Sequence, residues 1–193
     1  MFKRNGFQTV LMPEHCDIAV FTGGADVNPA LYGELVVPGT NFSPRRDAQD
    51  MAFWRRLPTA CMKIGICRGS QLLNVLNGGR LWQDADNHGC YKGHYVKDLL
   101  TGANRQVSST HHQQCRPAEG AEIVAVAHLS QRKFAENVMW NREQSPNDQS
   151  SYGTDYEVLW YKDTRTLCFQ GHPEYAVPAD CEPYFFELIK RYF

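Results

Sequence analysis

Three residues scattered along the chain carry side chains that together could open an amide bond: Cys67, His172 and Glu174. Cys67 sits in Gly65-Ile66-Cys67-Arg68-Gly69, between an apolar run and a helical pattern. This is the G-x-nucleophile-x-G form of a nucleophile elbow, with sulfur in place of oxygen. The turn is so tight that a side chain at either flanking glycine would meet the neighbouring strand or helix. It would lift the sulfur out of a sheet at a helix N-terminus, where the dipole and free N–H groups favour thiolate over thiol. Taken alone, the pentapeptide also fits a buried structural cysteine at a strand end. His172, in Gln170-Gly171-His172-Pro173-Glu174-Tyr175, follows a second strand pattern, as Cys67 does. Pro173 biases His172 toward extended backbone, in which residues two apart point the same way, so Glu174 can reach the imidazole and fix its tautomer. A tetrahedral oxyanion would need N–H donors. Thr22-Gly23-Gly24-Ala25-Asp26, a glycine turn at another strand end, would supply that of Gly24 to pair with that of Arg68.

The elements that must position these residues are short apolar runs alternating with helical patterns, the signature of an α/β sheet. Asp17–Thr22 and Cys61–Ile66 read as buried strands that end in glycine-bearing turns. Arg45–Leu57 reads as a helix stopped by Pro58, and Ser70–Leu76 as one stopped by Asn77-Gly78-Gly79. Glu122–Ala127, Tyr156–Tyr161 and Thr166–Gln170 read as further strands, and Cys181–Phe193 as an aromatic-rich terminal helix. Ser130–Thr154 is polar and rich in Asn, Gln and Ser, with Trp140 among them, which predicts a long surface loop or insertion with an exposed tryptophan.

At 193 residues the chain predicts a single domain. Its 42% hydrophobic and 21% charged residues give an ordinary globular balance that excludes a disordered or fibrous chain. A formal charge of −1 leaves no basic footprint for a phosphate backbone, so nucleic acid is not an expected partner. The sequence has no apolar run long enough to span a bilayer and no secretory signal pattern after Met1, which points to the cytoplasm and away from membranes. Seven irregularly spaced cysteines then read as thiols. His88, Cys90, His94, His111, His112 and Cys115 crowd one span, but their spacings match no closed zinc pattern. They are expected to be hydrogen-bonding histidines and free thiols, with no metal and no cofactor.

Gly65-Ile66-Cys67-Arg68-Gly69-Ser70-Gln71, followed by Asn74, Gly78-Gly79, Leu81, Gln83-Asp84 and the downstream His172-Pro173-Glu174, resembles the class I glutamine amidotransferase superfamily. Within it, Gly23-Gly24-Ala25-Asp26-Val27-Asn28-Pro29, Tyr32-Gly33, Arg46-Asp47 and Ser109-Thr110-His111-His112-Gln113 resemble the gamma-glutamyl hydrolase branch, which includes gamma-glutamyl-gamma-aminobutyrate hydrolases. The resemblance spans nearly the whole chain. It implies one domain over 1–193, a flavodoxin-like three-layer sandwich with a mainly parallel sheet and helices on both faces. It further implies Cys67 as the nucleophile that forms a gamma-glutamyl thioester, His172 as general acid and base, and Glu174 as its orienter. Gly24 and Arg68 would be the oxyanion donors, and Gln71 and His112 neighbours of the glutamyl pocket.

Three departures stand out. The chain begins near the end of what would be the family's first helix and so lacks the usual first strand, which should expose an apolar groove; an internal Met at the start, or another segment or chain in the gap, would account for this. Ser108 stands where the branch has Asn, and the polar insertion near 130–154 is longer than usual. Three functions fit. One is hydrolysis of a small-molecule gamma-glutamyl amide; another is a glutaminase subunit that passes ammonia to a partner synthetase or ligase; the last is a catalytically silent scaffold. Homo-oligomerisation is open.

Overall fold

A computed structural model describes residues 1–147 and 152–193. In chain order the elements are β1 (Ile18–Phe21), α1 (Pro44–Arg56), β2 (Met62–Ile66), α2 (Arg68–Leu76), β3 (Arg80–Trp82), β4 (Asp84–Ala85), β5 (Gly89–Asp98) and β6 (Asn104–Thr110). There follow β7 (Gln114–Arg116), β8 (Glu122–Ala127), β9 (Arg132–Ala135), β10 (Val138–Asn141), β11 (Asp155–Tyr161), β12 (Thr166–Phe169) and α3 (Cys181–Tyr192). Local chemistry sets the boundaries. Ser43 caps α1 by accepting from the Arg46 N–H, Pro44 occupies its first turn, and the chain leaves the helix at Leu57, before Pro58.

The main sheet runs β1, β2, β12, β11, β8, β5, β6, with β7 paired to β11 and β3 to β7. It is mixed. β1 and β12 flank β2 in parallel register, and the remaining ladders are antiparallel. Strand β2 is buried at every position, as expected of a parallel strand covered on both faces. Side-chain alternation divides the core in two. Met62, Ile64, Ile66, Val158, Trp160, Leu167 and Phe169 pack with α3 on one face. Ala19, Phe21, Leu159, Tyr161 and Cys168 pack on the other with Leu72, Leu73 and Val75 of α2 and with Phe53 and Trp54 of α1. The sandwich therefore has three layers, with helices on both faces of an α/β sheet.

The polar segment near 130–154 is not a surface loop where the structure describes it. β9 and β10 form a hairpin that pairs with β4 in a second, three-stranded sheet. Trp140 is buried with Trp82 and Ala135, and the Lys133 ammonium lies 5.5 Å from its ring centre. The indole supplies the apolar contact that the segment's composition conceals. Residues 148–151 of the segment lie outside the described residues. A groove lined by Phe7, Leu11, Ile18, Val20, Phe53 and Phe193 runs beside β1, where an apolar groove was expected. Among the described residues, no helix is long and apolar enough to cross a membrane.

Candidate active site

Three neighbouring parallel strands deliver the site. Ile66 is in register with Phe169 and Gly65 with Phe21, so the segments leaving β2, β12 and β1 emerge side by side. The Cys67 N–H donates to the Phe169 carbonyl at 2.9 Å, which fastens the turn after β2 to the strand that leads into His172. Cys67 then takes φ 51°, ψ −113° before α2 begins at Arg68. Left-handed φ on a non-glycine residue costs on the order of 1–3 kcal/mol and persists only where its surroundings enforce it.

The surroundings here are glycines. A Cβ on Gly65 would lie 2.4 Å from the Ser70 nitrogen, and one on Gly69 would lie 2.0 Å from the Phe21 carbonyl oxygen. Both flanks of the pentapeptide are thus glycine for the steric reason the sequence suggests. Cys67 itself is buried, with 7% of its surface exposed.

His172 is buried against this turn. Its Nδ1 lies 2.8 Å from Glu174 Oε1, and its ring stacks on Tyr175 at 4.6 Å with an interplanar angle of 4°. Burial alone would lower the imidazole pKa, but hydrogen bonds to Cys67 and Glu174 outweigh it and push His172 up to about 10. Burial acts on Glu174 in the opposite direction, and the His172 hydrogen bond together with its own backbone amide holds the carboxyl below the ordinary range. Gly23 closes the other side of the ring, where an added Cβ would come within 2.8 Å of His172 Cε1.

Gly24 and Arg68 are neighbours across the turn, since a Cβ on Gly24 would stand 3.5 Å from Arg68 Cδ. As the first residue of α2, Arg68 has an N–H without an intrahelical acceptor. Its side chain turns away and is buried, ion-paired with Asp47 at 2.5 Å and with Asp50 on α1. Asp47 also accepts from the Asn28 N–H, and Asp50 from Arg46 at 2.9 Å, so α1 holds both the start of α2 and the loop after β1.

Gln71 is buried and already engaged, donating to the Gln113 carbonyl at 3.1 Å and to Gln170 Oε1 at 3.4 Å. His112 is half-exposed at the rim, with Nε2 3.1 Å from Asp26 and Nδ1 3.5 Å from Asp84. The Asp26 hydrogen bond dominates and raises its pKa. His112 therefore braces the loop that carries Gly24, while Gln71 braces the wall beside Gln170.

The residue reading gave no role to Ser108, Tyr175, Asp50 or Asp47. Ser108 clamps His172 from both sides: its hydroxyl accepts from the His172 N–H at 2.5 Å and donates to the His172 carbonyl at 3.2 Å. No spacing rule exposes such a contact between residues on β6 and after β12. Asp47 and Asp50 lie one turn apart on the α1 pattern, which the sequence shows, but that both face Arg68 is set by the packing of α1 against α2.

The Peptidase C26 family model matches residues 8–144, a span that contains Cys67. The glutamine amidotransferase-like protein YvdE of Lactococcus lactis is 32% identical over 163 residues, covering 82% of this chain and 66% of that protein. A Mycobacterium tuberculosis protein named as a glutamine amidotransferase is 32% identical over 157 residues, covering 67% of this chain and 51% of that protein. The chain thus spans between about half and two thirds of the length of these relatives. A glutamine amidotransferase structure from Thermotoga maritima is similar at 17% identity, covering 76% of this chain and 54% of that one with a TM-score of 0.39. With its elbow cysteine inside the matched span, this chain belongs to the Peptidase C26 family.

Proposed function

We propose that the chain hydrolyses a gamma-glutamyl amide through a thioester on Cys67. The observation that carries the reading is the pairing of a buried cysteine on a strained strand–helix turn with an imidazole fixed by a carboxylate 2.8 Å away. The Cys67 thiolate adds to the amide carbon, and the oxyanion that forms is met by the N–H groups of Gly24 and Arg68. His172, held protonated by Cys67 and Glu174, then gives its proton to the departing amine as the C–N bond breaks. In the second half, His172 takes a proton from water, which attacks the thioester and releases glutamate. Glu174 keeps Nδ1 occupied, so that Nε2 is the nitrogen that exchanges protons. Gln71 and His112 shape the pocket indirectly, through Gln170 and the Asp26 loop. The proteins named as glutamine amidotransferases among the relatives share the amide class with this reading.

The test is glutamate release from glutamine and a panel of gamma-glutamyl amines by the native chain and by Cys67→Ser. Release abolished by the substitution, with melting behaviour preserved, is the expected result. Equal release by both proteins would overturn the assignment of the nucleophile. Release from glutamine alone that rises on addition of a synthetase or ligase would favour the ammonia-delivering subunit instead.

A further inference from the structure

Beyond β12 from the elbow, in the antiparallel half of the sheet, a second cluster of reactive side chains is sealed in the core. His88, His94, His111 and Glu157 are each more than nine-tenths buried. His111 Nε2, His94 Nδ1 and Glu157 Oε2 have no hydrogen-bond partner. Buried polar atoms are rarely left so, and several converging on one point call for a missing occupant. The nitrogens that are satisfied point outward. His111 Nδ1 lies 3.1 Å from the Gln113 carbonyl, which fixes a proton there and leaves the Nε2 lone pair facing inward. His88 Nε2 lies 3.2 Å from Ser130 Oγ and 3.4 Å from Asp155 Oδ2, while its Nδ1 lies 3.6 Å from Glu157 Oε1 and 3.5 Å from Gln114 Nε2, an amide that an ion would displace. Asp155 is in turn held by Lys133 at 2.6 Å and by the Leu129 and Ser130 N–H groups. Gln114 donates to Glu157 Oε1 at 3.1 Å.

His111, with its outer nitrogen tied to a carbonyl and its inner lone pair free, has the arrangement in which histidine ligates a metal. One ligand atom from each of His88, His111 and Glu157 can be chosen so that all lie within 4.8 Å of one another. His94 lies outside that trio but against its carboxylate. A register shift in β5 before it, with Gly93 at φ 69° where a Cβ would stand 2.1 Å from the Val107 carbonyl, aims its ring inward so that Nε2 lies 3.2 Å from Glu157 Oε1. Lys133 matches Asp155, whereas the ion-pair contacts of Glu157 are to His88 and His94 alone among the described residues.

We propose that this cluster binds one divalent transition-metal ion of the zinc class through His88 Nδ1, His111 Nε2 and Glu157, with His94 Nε2 as the fourth ligand. Three imidazoles and one carboxylate suit a borderline cation and not the oxygen-seeking Mg2+ or Ca2+. Four protein ligands in a closed pocket make a structural site, and bonds of about 2.0–2.1 Å draw the donors together around the ion. His88 precedes β5, His94 lies within it, His111 follows β6 and Glu157 is on β11, so the ion would pin the antiparallel half of the sheet. The inference does not rest on the proposed hydrolysis, because neither Cys67 nor His172 is a ligand. Spacing conceals the site because no two ligands lie on one turn; sheet pairing assembles it.

The experiment uses the full chain, free of any affinity tag, stripped with a chelator, loaded with Zn2+ and passed through gel filtration. Metal content is then read by mass spectrometry, and the visible spectrum is recorded after loading with Co2+. The expected result is about one ion per chain, intense tetrahedral Co2+ bands, and at least a tenfold fall in retained metal in Glu157→Gln. Cys90→Ser, which alters the exposed thiol nearby, should retain the ion. Folded native protein that retains no metal overturns the proposal, as does a weak octahedral Co2+ spectrum or full retention by folded Glu157→Gln. If Glu157→Gln does not fold, the Co2+ spectrum of the native chain decides alone.

Discussion

Adding one methyl group at Gly69 should damage rate and stability by separable amounts. The Cβ of Gly69→Ala would fall 2.0 Å from the Phe21 carbonyl oxygen and 2.5 Å from its carbon, where real Cβ contacts essentially never come under 3.0 Å. The contact therefore falls about 1 Å inside the closest separation that real Cβ atoms reach, unless the backbone moves. Phe21 cannot swing away, because β1 is paired to β2 at Gly65 and its ring is buried. Relief must come from sliding the start of α2 away from β1 by roughly 1 Å, and overpacking of this kind costs about 1–3 kcal/mol. For a domain of 150–250 residues that amounts to roughly 2–12 °C in melting temperature, at about 2–4 °C per kcal/mol. The same slide carries Arg68 N–H and Cys67 away from His172 and Gly24, and a misplacement near 1 Å costs about 100-fold in rate. Glutamate release at saturating and limiting substrate, measured beside a thermal melt, separates the two effects. Gly89→Ala is the matched control, because a Cβ there meets nothing within 4 Å. Native turnover and native melting in Gly69→Ala would show that the elbow is not held by this contact and would refute the packing argument.

The His172–Glu174 pair predicts a pH-dependent stability. With His172 pushed up to about 10 from an ordinary 6.5, its contribution is complete below about 6.5 and is lost as pH rises toward 10. The melting difference between the native chain and Glu174→Gln should shrink across that window; a difference constant from pH 6.5 to 10 would count against the pair. Asp47→Ala strips Arg68 of its buried carboxylate partner, leaving only the partly exposed Asp50, and should destabilise the chain by on the order of 3 kcal/mol in urea unfolding, with a loss under 1 kcal/mol as the contrary result. Trp140→Ala should cost about 3–5 kcal/mol if the indole is core, whereas a tryptophan on a surface loop would leave the urea midpoint unchanged.

The parallel half of the fold was legible because its chemistry is hydrocarbon. Asp17–Thr22, Cys61–Ile66 and Thr166–Gln170 bury apolar side chains against helices, and each lies within a residue or two of an observed strand. Glu122–Ala127 coincides with β8. The stretch from Arg80 to Arg116 offered no such pattern, yet it contains β3, β4, β5, β6 and β7. Alongside scattered apolar residues such as Leu81, Trp82, Val96 and Val107, most of its buried positions are held by Gln83, His88, His94, Asp98, Ser108, Ser109, His111, Gln113 and Gln114. A strand whose inward face hydrogen-bonds to other strands shows no alternation on a hydropathy scale, because the partners that make burial tolerable are distant in sequence. The hairpin of β9 and β10 was obscured for the same reason, since Lys133 is buried only because Asp155 lies opposite it.

The same division explains why the candidate triad was readable but its support was not. Cys67, His172 and Glu174 announce themselves through local rules: a turn that needs glycine and a proline that sets two side chains on one side. Holding them in place is the work of the polar half. Ser108 fixes the His172 backbone in both directions, and Gln71 is held between Gln113 and Gln170. Ser109 Oγ donates to the His88 carbonyl at 2.6 Å, one residue from Ser108, so the strand that clamps His172 is joined to the buried histidine cluster. Any ion or network that orders the cluster therefore also orders β6 beneath His172, through backbone and hydroxyl contacts only. In the proposed hydrolysis, a tight elbow with a loosely held imidazole would bind substrate without passing on its proton, and the contacts of Ser108 and Ser109 tie the imidazole to the polar half of the sheet.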